Sequence, residues 1–174
     1  MAICFFCLEA LIQKITPFLM FNDQAVEAME FYTSLFPSSR IVSTMPGPDG
    51  SVAGGSFELD GQPFNCYNAG EHPNFVFSQA VSFMISAETQ DEIDHLYDSL
   101  SEGGEHQPCG WLKDKFGVSW QVTPPLLMQL LSDPDREKAG RVTEAMFKMT
   151  KIIIADLEAA AEYNLPTKHT KDTK

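Results

Sequence analysis

The chain repeats one order of elements twice, and this repeat constrains its fold more than any other feature. QKITPFLMF (Gln13 to Phe21) is a strand-like apolar run. A helical pattern follows from Gln24 to Phe36, with Ala25, Met29, Tyr32 and Phe36 at helical spacing, Asp23 as the expected N-cap and Pro37 as the stop. RIVSTM (Arg40 to Met45), SVAGGSFEL (Ser51 to Leu59) and PFNCYN (Pro63 to Asn68) read as strands, the last two joined by the hairpin signal Asp60-Gly61. The order β-α-β-β-β then recurs. AVSFMIS (Ala80 to Ser86) is a strand, and TQDEIDHLYDSLSEGG (Thr89 to Gly104) is a helix. A weak strand near His106, CGWLKD (Cys109 to Asp114) and VSWQVT (Val118 to Thr123) complete the second copy. The letters agree with the order. FYTSLF (Phe31 to Phe36) matches LYDSLS (Leu96 to Ser101). Thr16 precedes Gln24 as Ser82 precedes Gln90, and Asn65 follows Gly61 as Gln121 follows Gly117. Such spacing predicts a duplicated module.

Side chains alternate between the two faces of a strand. Val118, Trp120 and Val122 share a face suited to packing on a helix, as do Val81, Phe83 and Ile85. The opposite face carries Ser82 and Met84 on one strand and Ser119 and Gln121 on another. The repeat places Thr16, Phe18, Met20, Asn65 and Tyr67 on the same face in the first module. If each helix covers the outer face of its sheet, these nine residues line an inner cup. Polar groups set among Phe, Met and Tyr suit a small organic ligand. The alternative is that the polar groups satisfy one another inside a closed barrel.

The segments expected are an uncertain 1–12, modules at 13–70 and 78–125, C-terminal helices at 126–164 and a polar tail at 165–174. Within the fourth of these, Leu126 to Asp133 reads as a short helix. Asp135 to Tyr163 reads as one long helix, with Val142, Met146, Met149, Ile153 and Leu157 on one stripe that covers the core or a subunit interface. The net charge of −12 makes nucleic acid and anionic membrane surfaces poor partners. The apolar run in MAICFFCLEALI is too short to span a bilayer, and no Lys or Arg precedes it. Cys4 and Cys7 form a C-x-x-C with no second pair at zinc-ribbon spacing. With Cys66 and Cys109 they are expected to be mostly reduced, in a cytoplasmic protein.

Several segments together carry a family resemblance: ITPFLMF, EFYTSLFP, FNCYNAGE, AVSFMI, CGWLKDKFGVSWQV and DPDREKAGRVTEAMFKMTKI. Over about residues 13–160 the chain resembles the PhnB-like branch of the vicinal-oxygen-chelate (glyoxalase/bleomycin resistance/dioxygenase) superfamily. Members of this branch often carry the label 3-demethylubiquinone-9 3-methyltransferase. The resemblance implies an α+β fold in which two βαβββ modules form a cup-shaped mixed sheet, here with a C-terminal helical extension, usually as a homodimer. Superfamily enzymes hold a divalent metal with two side chains from each module, typically His, Glu or Gln. By strand position those places fall on Thr16, Asn65, Ser82 and Gln121, and only Gln121 is of a type the superfamily uses. No tightly held metal, and no other cofactor, is therefore expected. A weakly held divalent ion at Gln121, serving a lyase, isomerase or dioxygenase-type reaction, is the alternative. The methyltransferase label finds no support in a cofactor motif, since Gly54-Gly55 lies inside a strand and opens no helix.

Other reactive groups are scattered. His95 sits among acidic residues of the second helix, and His169 lies in the tail. His106 and Cys109 are close enough in sequence to suggest a catalytic pair, though spacing does not establish contact. Glu71 and His72 lie where a loop could close the cup, Glu58 and Asp60 are expected to face water, and Trp111 reads as core or, as the alternative, a wall of the cavity. The expectation is a binding module for a small organic molecule.

Overall fold

The computed structural model describes residues 14–163. The Cys4/Cys7 motif, His169, the segment 1–12 and the tail 165–174 lie outside them. The chain divides into two compact units between Phe75 and Val76.

The first unit runs β1 (Phe18–Phe21), α1 (Ala25–Leu35), β2 (Arg40–Pro46), β3 (Val52–Leu59) and β4 (Gln62–Asn68), with strand order β1-β4-β3-β2. β1 and β4 are parallel, and the other pairs are antiparallel. The second unit begins β5 (Phe83–Ser86), α2 (Gln90–Ser101), β6 (Glu105–His106), β7 (Trp111–Lys113) and β8 (Ser119–Thr123), with order β5-β8-β7-β6 and β5 parallel to β8. The two sheets therefore share one topology, as the repeat requires. They also share register. Phe18 lies beside Asn65 as Met84 lies beside Gln121, and Met20 beside Tyr67 as Ser86 beside Thr123.

Each sheet is covered on one face by its helix. In the first unit Ala25, Ala28, Met29 and Tyr32 recur at i, i+3, i+4 and i+7 and are buried with Leu19, Phe21, Phe57, Phe64 and Cys66. In the second, Ile93, Leu96, Tyr97 and Leu100 are buried, as are Leu112, Trp120 and Val122. Val81 departs from the expected greasy face, because it precedes β5 and stands 71% exposed. The Asp60-Gly61 turn has positive φ at both residues (45° and 83°), the conformation that matches the twist of a two-residue hairpin.

Helix ends are partly as expected. Thr89 caps α2 by accepting from the Glu92 N–H at 3.2 Å, while Glu92 Oε2 accepts from the Glu88 N–H. Asp23 does not cap α1. The cap position is Gln24, and the Ala25 N–H donates instead to Asn68 Oδ1 at the end of β4 (2.7 Å). A group brought near by the sheet thus replaces the local one. α1 ends at Leu35, with Phe36 extended ahead of Pro37, whose ring disfavours a helical residue before it.

The C-terminal segment departs most from expectation. It forms α3 (Pro125–Leu131), α4 (Arg136–Met146) and α5 (Ile154–Glu162), with no continuous helix over 135–163. Residues 147–153 leave the helix to act as a strap on their own unit. The Cys109 and Gly110 N–H groups donate to the Met149 and Thr150 carbonyls at 2.8 and 2.7 Å. Gln90 is bonded at both ends, its Nε2 donating to the Ile152 carbonyl and its Oε1 accepting from the Ile154 N–H. Lys151 pairs with Asp98 at 2.7 Å and Asp94 at 3.2 Å. Ile153, just ahead of α5, is extended (φ −113°, ψ 111°), a conformation that its β-branched side chain favours. Val142, Ile152 and Leu157 are fully buried with Leu127 and Leu130, and Met146 and Met149 pack against them. The expected stripe is thus mostly consumed inside this unit, and Ile152 takes the core place expected of Ile153.

No helix among the described residues is long and apolar enough to cross a membrane.

Candidate ligand-binding face

The sheet face opposite each helix carries the residues singled out from the repeat. In the first unit, lateral pairing sets Phe18, Asn65, Ser56 and Ser43 in one row and Met20, Tyr67, Gly54 and Met45 in the next. Ser43 and Ser56 hydroxyls are 2.7 Å apart. Phe18 is 53% exposed, while Asn65 and Tyr67 are half-buried. Thr16 precedes β1 and is half-buried.

In the second unit, the matching row is Met84, Gln121 and Trp111, and the row toward the hairpin turn is Ser119, Lys113 and Glu105. Met84 is 56% exposed. Ser82, just before β5, accepts a 2.8 Å hydrogen bond from Gln121 Nε2. This pairing is the mutual satisfaction considered from sequence, and it accounts for one of the polar pairs. Ser119 is buried and, among the described residues, its hydroxyl has no partner. Lys113 is tied to Glu105 at 2.5 Å.

Trp111 is half-buried on this open face, directly across from Gln121, rather than in the core, the first of the two places considered for it. Counting outward from the Asp114–Gly117 turn would have found that register. The turn itself rests on a residue the sequence reading passed over. Asp114 is 2% exposed, and its Oδ1 accepts from the Phe116 and Val118 N–H groups at 2.9 Å each. Its Oδ2 accepts from Trp120 Nε1 at 2.8 Å. The short polar side chain satisfies its own turn and ties down the strand that carries Ser119 and Gln121.

Among the described residues the other reactive groups do not assemble a site. No hydrogen bond joins His106 to Cys109; the His106 ring stacks on Tyr97, and the Cys109 N–H serves the strap. His72 Nδ1 accepts from the Asn74 N–H, and its ring meets Phe75, so it organises its own loop. Glu71 is exposed. Among the described residues no three of His, Cys, Asp and Glu gather as metal ligands would. Burial pushes the Cys66 thiol up to about 11, from an ordinary value near 9. Its neutral form is favoured by folding, so that contribution to stability is fully present below pH 9 and is lost as pH rises through about 11. At pH 8, iodoacetamide is expected to label half-buried Cys109 in the folded protein and Cys66 only after unfolding, as read by peptide mass spectrometry. Labelling of native Cys66 at the Cys109 rate would show that its pocket opens freely.

Two four-stranded mixed sheets built as paired βαβββ modules define the glyoxalase-like class. FosX, a fosfomycin resistance protein from Mesorhizobium loti, shares this fold at 10% identity and a TM-score of 0.51, covering 71% of this chain and 99% of that one. A protein from Pseudomonas aeruginosa shares it at 21% identity and 0.50, over 64% of this chain and 97% of its own. A PhnB protein from Bacillus cereus is 41% identical with a TM-score of 0.61, covering 64% of this chain and 99% of that chain. The family model described as 3-demethylubiquinone-9 3-methyltransferase matches residues 13–123. The chain belongs to that family, the PhnB-like branch of the vicinal-oxygen-chelate superfamily. None of the curated proteins compared matches it.

The residues that the superfamily resemblance assigns to metal positions do not fit a tightly held divalent ion. Thr16, Asn65, Ser82 and Gln121 offer only neutral hydroxyl and amide groups, and Gln121 and Ser82 already bond one another. The family description likewise has no counterpart in Gly54-Gly55. A Cβ on Gly54 would lie 2.2 Å from the Cys66 carbonyl oxygen, and one on Gly55 would lie 2.2 Å from that of Ser43. These glycines permit close strand approach and hold no phosphate-binding turn.

Proposed function

We propose that the protein binds a small, largely apolar organic molecule on the open sheet faces, without a tightly held metal. One observation carries the reading. At the equivalent position of each module a large apolar side chain stands more than half exposed beside an amide: Phe18 next to Asn65, and Met84 next to Gln121. An isolated chain gains nothing from exposing these groups on a sheet. An apolar surface with a few orienting polar groups is what a small-molecule site requires. The chain's net charge of −12 agrees with an uncharged or cationic ligand.

The test is a titration with 2-naphthol, followed by NMR of the side-chain amides. The Asn65 and Gln121 resonances are expected to shift saturably in the millimolar range. Phe18→Lys and Met84→Lys, at exposed positions, are expected to weaken the response at least about tenfold with little change in Tm, since each removes roughly 1.5–3 kcal/mol of apolar contact. Amide resonances that stay fixed up to the solubility limit would end the proposal. A methyltransferase, by contrast, must bind S-adenosylmethionine. Heat of binding for that cofactor in calorimetry would displace this reading in favour of the family description.

A further inference from the structure

Resting on that proposed function, the orphaned hydroxyl of Ser119 narrows the ligand. Ser119 is 2% exposed, and its Oγ has no partner among the described residues. A buried hydroxyl without a partner is costly, and native proteins rarely keep one unless water or a ligand completes it. Its place is not arbitrary. Ser119 and Gln121 lie two residues apart on one face of β8, which sets them about 7 Å apart along the strand. The Gln121 amide spends one N–H on Ser82 and keeps its oxygen as an acceptor. Trp111 and Met84 flank Gln121 in the same row, presenting an indole and a thioether. The charged group beside Ser119 is Lys113, already neutralised by Glu105.

We infer that Ser119 is a specificity-determining residue. Its hydroxyl donates to a carbonyl-type oxygen of the ligand, Gln121 Oε1 accepts from an adjacent N–H or O–H, and the ligand's ring rests against Trp111 and Met84. The class this selects is an uncharged aromatic molecule with neighbouring acceptor and donor, such as a lactam or an amide. A charged carboxylate or phosphate finds no free counter-ion in this row.

Two probes of nearly the same shape separate the polar contribution from the apolar one. 2-Quinolone carries an adjacent C=O and N–H; naphthalene carries neither. Each is titrated into the full chain and read from the Gln121 side-chain amide. The wild type is expected to prefer 2-quinolone by about tenfold or more. Ser119→Ala is expected to reduce that preference to about twofold or less while raising the Tm of the ligand-free protein by about 3 °C, because an unsatisfied buried hydroxyl has been removed. Loss of discrimination with gain of stability is a pattern that a packing role alone does not produce. If both probes bind wild type and Ser119→Ala alike, the hydroxyl does not read the ligand and this inference is overturned, while the binding face stands. If neither probe, nor 2-naphthol, reaches Gln121, the proposed function itself fails and takes this inference with it.

Discussion

Asp114→Ala is expected to destabilise the second unit by about 4 kcal/mol. The carboxylate is buried, and it accepts from two backbone N–H groups and from the Trp120 indole. Alanine strands all three donors in the interior. Each unsatisfied buried group costs roughly 1–3 kcal/mol, and breaking one side of a buried charged network roughly 3–5 kcal/mol. Asp114→Asn keeps an oxygen for the two backbone donors but turns an NH2 toward the indole N–H. It is expected to lose about half as much. Both tryptophans of the chain, Trp111 and Trp120, lie in this unit, so fluorescence-detected urea unfolding reports on it directly. A loss below 1 kcal/mol for the alanine variant would mean that the turn forms without the carboxylate. The same variant should broaden the Gln121 amide signal, because β8 is anchored through Trp120 and Val118.

Ile152→Ala is expected to cost about 3 kcal/mol, and Ile153→Ala about 1 kcal/mol. Ile152 is fully buried with Val142, Leu157, Leu127 and Leu130, whereas Ile153 is half-buried. Truncating a buried isoleucine removes its transfer free energy and leaves a cavity, for roughly 2–5 kcal/mol in total. The pair decides between two arrangements of the same letters. A continuous helix over 135–163 puts Ile153 on the apolar stripe and makes it the costlier loss. The strap reverses the order. Equal losses, or a larger one at Ile153, would contradict the non-helical strap over 147–153. The measurement is the shift in urea midpoint at unchanged slope.

That reversal shows where local pattern stops being sufficient. Helical spacing of apolar residues is present across 142–157, and it predicts α4 and α5 correctly as pieces. It could not predict the break. The strap is held by partners remote in sequence: Cys109 and Gly110 through their N–H groups, Gln90 through both ends of its amide. Gly110 is fitted to this contact, with φ at 80° and Ile152 so close that a Cβ would lie 2.9 Å from its Cγ1. The same reasoning covers the start of α1. Asp23 is an ordinary cap residue, but Asn68, delivered by β4, satisfies the first N–H of the helix.

The repeat, by contrast, was legible to the residue. Equivalence of Thr16 with Ser82 and of Asn65 with Gln121 requires Phe18 to match Met84. The strand register places Phe18 beside Asn65 and Met84 beside Gln121. Period-two alternation within strands and the Asp-Gly hairpin turn are local properties of the chain, so the order of elements and the two faces of each sheet follow from sequence alone. What only the tertiary structure decided are the meetings between elements: the Gln121–Ser82 hydrogen bond, Asp114 beneath its turn, the strap on Gly110, and the buried hydroxyl of Ser119 left without a partner among the described residues. Hydrogen bonding and burial at those places depend on distances between residues far apart along the chain, and no local periodicity encodes such distances.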